Sequence, residues 1–264
     1  MPGRTRTMNR RLGKAGHGKT AAGMACLVLG LSACAGKPPE QPAIEETRAE
    51  LQAYIASDVV SDDRGRFREI FCAVLADHGP DLPDYRTCEE ALRITGYEVG
   101  ATGQPVPLDR SESDHLVLAV PGLGWNCFSE WLDLTGSVPD HLDSVGYELR
   151  VVPVDGLSST SNNAAMIRDY VMGLTGADAD RRLILMGYSK GAPDILTAIV
   201  DYPELAERVD AVISLAGAVG GSPLSEDATQ AQANMLTVVP GSQCEEEDGD
   251  NDAVRSLRPD VRQA

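Results

Sequence analysis

Positive charge is scarce in this chain of 264 residues. Lys and Arg number 23 against 40 Asp and Glu, a formal net charge of −17. Nucleic-acid phosphates would repel such a chain, and it has no basic stripe, so no nucleic-acid partner is expected. The acidity itself says only that the chain is soluble and self-repelling. Zinc-type spacing is also missing, with no CxxC and no Cys/His cluster, so no metal is expected. GAVGG at 217–221 lacks the spacing and acidic partner of a dinucleotide fingerprint, and no cofactor is expected. No internal repeat is visible. Histidine is rare: His17, His78, His115 and His141 are all there are.

What is present begins with a segment unlike the rest. Residues 1–33 carry Arg4, Arg6, Arg10, Arg11, Lys14 and Lys19 and no acid, then the apolar stretch TAAGMACLVLGLSA. A basic head before an apolar run too short to span a bilayer reads as an export signal. The stretch closes on LSAC, Leu31 to Cys34, which resembles the lipobox of bacterial lipoproteins. The resemblance implies cleavage before Cys34 and diacylation of its thiol. It thus implies a lipid anchor in the bacterial cell envelope, facing the periplasm or exterior. Ala35 in place of Asp points to an outer membrane where there are two. An ordinary secretory signal with Cys34 incidental is the other reading. GKPPEQP at 36–42 then reads as a solvated tether, within 34–43.

Beyond Cys26 and Cys34, four cysteines remain. In an oxidising compartment an even number suggests two disulfides, with three possible connectivities. Cys72 and Cys88 bracket a Gly-Pro turn, while Cys127 and Cys244 each follow a Gly-containing loop. The pairings expected are Cys72–Cys88 and Cys127–Cys244; free buried thiols are the alternative.

Residues 44–58 and 64–78 carry apolar side chains at helical spacing, and 87–93 suits a third short helix. Residues 44–110 read as a small helical appendage, with short edge strands possible near its end. From residue 111 the texture changes. Apolar runs at 116–120, 147–156, 182–187 and 210–217 read as strands; 161–174, capped by Ser161, and 192–203 read as helices. Pro193 fits a first turn and Pro203 a helix end. Apolar strands alternating with helices predict an α/β fold, a mostly parallel sheet with helices on both faces. Ligands of such sheets bind at the carboxyl ends of the strands.

One of those ends carries Gly187-Tyr188-Ser189-Lys190-Gly191. A strand precedes this Gly-x-Ser-x-Gly and a helix follows. It resembles the nucleophile elbow of the α/β-hydrolase superfamily, where a strained turn pushes the serine out at a helix N-terminus. Pro121-Gly122-Leu123-Gly124, after the first strand, resembles the superfamily's oxyanion loop, with Pro121 where His is common. The resemblance implies Ser189 as nucleophile and the backbone N–H groups of Leu123 and Lys190 as the oxyanion hole. Trp125 then floors an acyl pocket or packs in the core. The Lys190 side chain is expected to be a solvated charge at the site mouth, since a residue adjacent to Ser189 suits no Ser–Lys dyad.

The superfamily's order is Ser, acid, His, and no histidine follows Ser189. His17 leaves with the signal, His78 lies in the appendage, His115 starts a strand and His141 follows Pro-Asp toward solvent. Asp227 stands where some members carry the acid, but a helix cap or solvated charge suits it better. A patatin-like Ser–Asp pair would need an Asp-Gly-Gly-like loop; EDGDND at 247–252 reads instead as a solvated acidic loop. The expectation is therefore a partial α/β-hydrolase core over 111–264, truncated before its acid and histidine. Its parent activity is carboxylic-ester hydrolysis, of the esterase or lipase kind, on a small-molecule or lipid ester, with weak or no turnover in the chain as written. The alternative is a non-catalytic envelope lipoprotein binding a lipid or glycan in the same pocket. Residues 221–239 read as a lid helix or an amphipathic surface helix.

Overall fold

The computed structural model describes residues 60–79, 85–94, 98–125, 137–234 and 249–263. The expected signal segment, Cys34 and its tether, the helix at 44–58, Cys127 and Cys244 lie outside them. The chain divides into two compact units, residues 1–106 and 107–264.

The N-terminal unit is built on helix α1, Arg64–His78, with a short helix α2, Cys88–Ala91. A capping box starts α2: the Thr87 side chain meets the Glu90 backbone, and Glu90 reaches back to the Thr87 N–H. A Cys72–Cys88 disulfide ties α1 to α2, with Cα atoms 5.4 Å apart. Polar contacts of α1 hold the rest of the unit. The Arg68 guanidinium pairs with both Glu98 oxygens at 2.7 and 2.9 Å, and Arg66 donates to the carbonyls of Gln104 and Pro105 at 2.8 and 2.9 Å. Residues 98–110 form none of the edge strands considered above.

The second unit holds a four-stranded, wholly parallel sheet in the order β2-β1-β3-β4. Its strands are β1 Leu116–Val120, β2 Glu148–Val151, β3 Leu183–Tyr188 and β4 Val209–Leu215. Helix α3, Ser137–Ser144, precedes β2; α4, Thr160–Met172, precedes β3; α5, Gly191–Asp201, follows it, and α6, Pro203–Ala206, leads into β4. Among the described residues after β4 are the short helices α7 Leu224–Asp227, α8 Gln230–Asn234, α9 Ala253–Ser256 and α10 Pro259–Arg262.

Every residue of β1 is buried, as its unbroken LVLAV run requires of a central strand. Leu116 and Leu118 lie beside Leu183 and Leu185 in register. They share a core with Ala164, Ile167 and Val171 of α4 and with Ile195 and Ala198 of α5. Those helix positions recur at three and four residues, which puts them on one stripe. Each fully buried Leu or Ile contributes about 1.5–3 kcal/mol.

Three local expectations are corrected. The N-cap of α4 is Ser159, whose Oγ accepts the Asn162 N–H at 3.1 Å, rather than Ser161, which lies inside the helix. β2 stops at Val151: the Val152 N–H makes the last bond to β1, on the Ala119 carbonyl at 2.9 Å, and the Val154 N–H then folds back onto the Val152 carbonyl at 2.9 Å. β4 is not buried on both faces: Val212, Ile213 and Leu215 are about two-fifths exposed. It is the last strand of the described sheet, so neighbours reach it from one side.

Candidate active site

Ser189 closes β3. Its φ of 53° is in the left-handed region, which a side chain with a Cβ rarely enters. Backbone contacts over-determine the turn. The Ser189 N–H donates to the Leu215 carbonyl at 3.0 Å, and the Ser189 carbonyl accepts from Ala192 and Ala218 at 3.3 and 3.1 Å. Such strain persists where surroundings hold it, often at functional sites.

The flanking glycines are there for space. A Cβ on Gly187 would lie 2.6 Å from the Ala192 backbone, and one on Gly191 would lie 2.0 Å from the Val120 carbonyl oxygen. Helix α5 therefore starts pressed onto the ends of β1 and β3, with Ser189 at the turn. The glycine loop after β1 comes to the same point. A Cβ on Gly122 would lie 3.0 Å from the Ser189 Cβ and 3.5 Å from its Oγ. The loop closes as a turn, with the Trp125 N–H on the Gly122 carbonyl at 3.3 Å; Trp125 itself is half-buried. Among the described residues the N–H groups of Leu123 and Lys190 donate to no acceptor, and Ser189 Oγ has no hydrogen-bond partner. Exposed apolar side chains stand around the serine: Leu123, Tyr188 and Leu215, at the carboxyl ends of three strands.

The Lys190 side chain is not the solvated charge expected of it. It is fully buried, with Nζ 3.0 and 2.9 Å from the two carboxylate oxygens of Asp194, which is fully buried too. The start of α5 turns the side chain inward, and the partner four residues on meets it on the same face. Burial pushes the Lys190 ammonium below its usual range against the pull of Asp194, and pushes the Asp194 carboxyl up to about 6 against the pull of Lys190 and Asn163. The bidentate geometry is that of the ionised pair. Asn163 Nδ2 donates to Asp194 Oδ2 at 2.8 Å and to the Asp155 carbonyl at 2.9 Å. Asp194 and Asn163 were not anticipated; only the Lys190/Asp194 spacing hinted at them.

Within the second unit, no described histidine reaches Ser189. His115 sits at the amino end of β1, with Nδ1 2.6 Å from Ser113 Oγ and Nε2 2.8 Å from Asp210. Six strand residues separate that end from the elbow, about 20 Å. His141 is on α3 and exposed, and His78 ends α1 in the N-terminal unit. Asp227 is exposed at the end of α7. Asp250 is not merely solvated: it accepts from the Ser159 N–H at 2.7 Å and from its hydroxyl. Among the described residues no group of three metal ligands forms.

The fold has a counterpart among solved structures. The metagenomic carboxyl esterase MGS0156 shares 37% sequence identity and superposes with a TM-score of 0.66 over 77% of this chain. The fold is α/β-hydrolase-like. The chain spans 61% of the length of that esterase. The mature lipase BlEst2 of Bacillus licheniformis is 23% identical, with a TM-score of 0.45 over 61% of this chain and 61% of its own. Phospholipase PlaB from Legionella pneumophila is 21% identical, at 0.36, over 55% of this chain and 32% of its own. No family model and no curated protein sequence matches the chain.

Proposed function

We propose that the chain is the elbow-bearing part of a serine carboxylic-ester hydrolase with Ser189 as nucleophile. The observation that carries this is the left-handed Ser189 between two obligatory glycines, with Gly122 packed against it. The 37% identity to a carboxyl esterase points the same way. Ser189 Oγ attacks the ester carbonyl carbon and its proton passes to a base. The tetrahedral oxyanion is held by the N–H groups of Leu123 and Lys190. The alcohol leaves with a proton, and water then releases the acid from the acyl-enzyme. The base and its acid are proposed to lie in polypeptide following Ala264, as the order Ser, acid, His implies. Membrane attachment in the envelope is proposed through a lipid on Cys34.

A fluorophosphonate probe tests the reading. A chain extended past Ala264 by its own gene should label at Ser189 and lose the label on Ser189→Ala. The 264-residue chain should label far more slowly, since no described histidine of the second unit stands beside Ser189. Failure of the extended chain to label would overturn the hydrolase and favour a binding protein. Rapid labelling of the 264-residue chain would overturn the placement of the base. Incorporation of an alkynyl palmitate that vanishes in Cys34→Ala checks the anchor.

A further inference from the structure

The hydrogen bonds beneath the elbow continue beyond it. From Lys190 Nζ they pass to Asp194, from Asp194 to Asn163, and from Asn163 to the Asp155 carbonyl. The next residue, Gly156, accepts the Gly124 N–H at 3.0 Å. Gly124 adjoins Leu123. One buried path therefore joins the residue after Ser189 to the Gly122–Gly124 loop. Its side chains are all at least nine-tenths buried: Lys190, Asp194, Asn163 and Asp155 are 0, 0, 1 and 5% exposed.

We propose that the Lys190 side chain, Asp194 and Asn163 are positioning residues of the oxyanion pocket. This rests on the reading of Ser189 as nucleophile. Two N–H groups on different strand ends must converge on one oxygen, and donors fixed beforehand need no reorganisation as charge develops. Backbone bonds hold the Lys190 end, but the Gly122–Gly124 loop is tied across to the loop that follows β2 by its bond to Gly156. The path sets the distance between the two. An ion pair suits that task because it is directional. Apolar side chains of the same volume would fill the space without the desolvation cost, but would fix no register. Asp155 and Asp250 from the loops beside α4, and Arg262 from α10, complete the charges that act on the pair. Asn163 Oδ1 is buried without a partner, so the amide is held by its two donated bonds alone.

The test uses three readouts on the chain: the rate of Ser189 phosphonylation by a fluorophosphonate, the thermal midpoint, and amide hydrogen exchange at Gly124 and Lys190. Lys190→Met with Asp194→Leu replaces the pair by apolar volume. It should recover a near-native midpoint, yet slow labelling about tenfold or more, toward the 10²–10³-fold cost of losing a donor outright. Exchange at Gly124 should quicken. Asn163→Ala cuts the path and leaves the ion pair in place; Gly124 should again exchange faster, about tenfold. If both variants keep native labelling and native exchange at Gly124, the network is scaffold alone and the proposal falls. If the double variant does not fold, Asn163→Ala decides. Absence of labelling in the parent chain would bear on the nucleophile reading only. Exchange at Gly124 would still decide this one.

Discussion

At Gly191 a single methyl decides the site. Its added carbon would lie 2.0 Å from the Val120 oxygen, a backbone atom that cannot swing aside. Gly191→Ala should therefore lift α5 off β1, lowering stability by about 1–3 kcal/mol and abolishing Ser189 labelling. Urea denaturation and probe labelling measure the two effects; a native midpoint would show that the elbow has room that the geometry denies. Asp194 has a different role, balancing a buried charge. Asp194→Ala strands the Lys190 ammonium in the core and should cost about 3–5 kcal/mol, as for other broken buried pairs. A loss under 1 kcal/mol would mean that Lys190 escapes to solvent or deprotonates. The sequence displayed the i, i+4 spacing of Lys190 and Asp194 but not their burial. A lysine beside a nucleophile reads as exposed until the packing of α5 on β1 and β3 turns it inward.

Among the elements, α1 and α2 depend on their crosslink. Cys72 and Cys88 are 16 residues apart, and closing a loop of that length restricts the unfolded chain by about 3 kcal/mol. A Cys72→Ser, Cys88→Ser variant should lose that much stability in the N-terminal unit, and reductant should have the same effect on the parent alone. Equal melting with and without reductant would contradict it. β4 raises the opposite issue. Its apolar side chains suit a strand buried on both faces, yet Ile213 is 42% exposed. Exposed apolar strands at a sheet edge invite association. Ile213→Lys should reduce concentration-dependent light scattering of the 264-residue chain while leaving the elbow intact. Unchanged scattering would place the sticky surface elsewhere.

Acid should loosen both units of the molecule through different carboxylates. Bonds from Thr102, Gly103 and Arg66 hold Glu69 down to about 2 from its ordinary 4.5. In the second unit Arg182 first, then His115, hold Asp210 down to about 2 from 3.8. A depressed folded pKa means that the stabilisation is present above the unfolded value and is lost as the pH falls through the folded one. Glu69 therefore stabilises its unit above about 4.5 and Asp210 its own above about 3.8, both fading toward pH 2. Glu69→Gln and Asp210→Asn should each flatten the fall of the melting midpoint across that window. Identical acid curves for parent and variants would contradict the assignment.

Apolar runs bounded by Gly and Pro determined β1, β3 and the helix after the elbow from the sequence, because a strand buried on both faces must be apolar throughout. Helix α1 followed from its spacing, and the Cys72–Cys88 pairing from four exportable cysteines around a turn. Gly-x-Ser-x-Gly between a strand and a helix located Ser189. Tertiary structure alone decided the rest. The meeting of Gly122 with Ser189 joins residues 67 positions apart, which no local pattern encodes. The path through Asp194, Asn163 and Gly156 depends on which side chains the packed helices exclude from water. The exposure of β4 depends on where the sheet's neighbours stop. Local periodicity reports which way a side chain faces within its own element, and only packing determines what it faces.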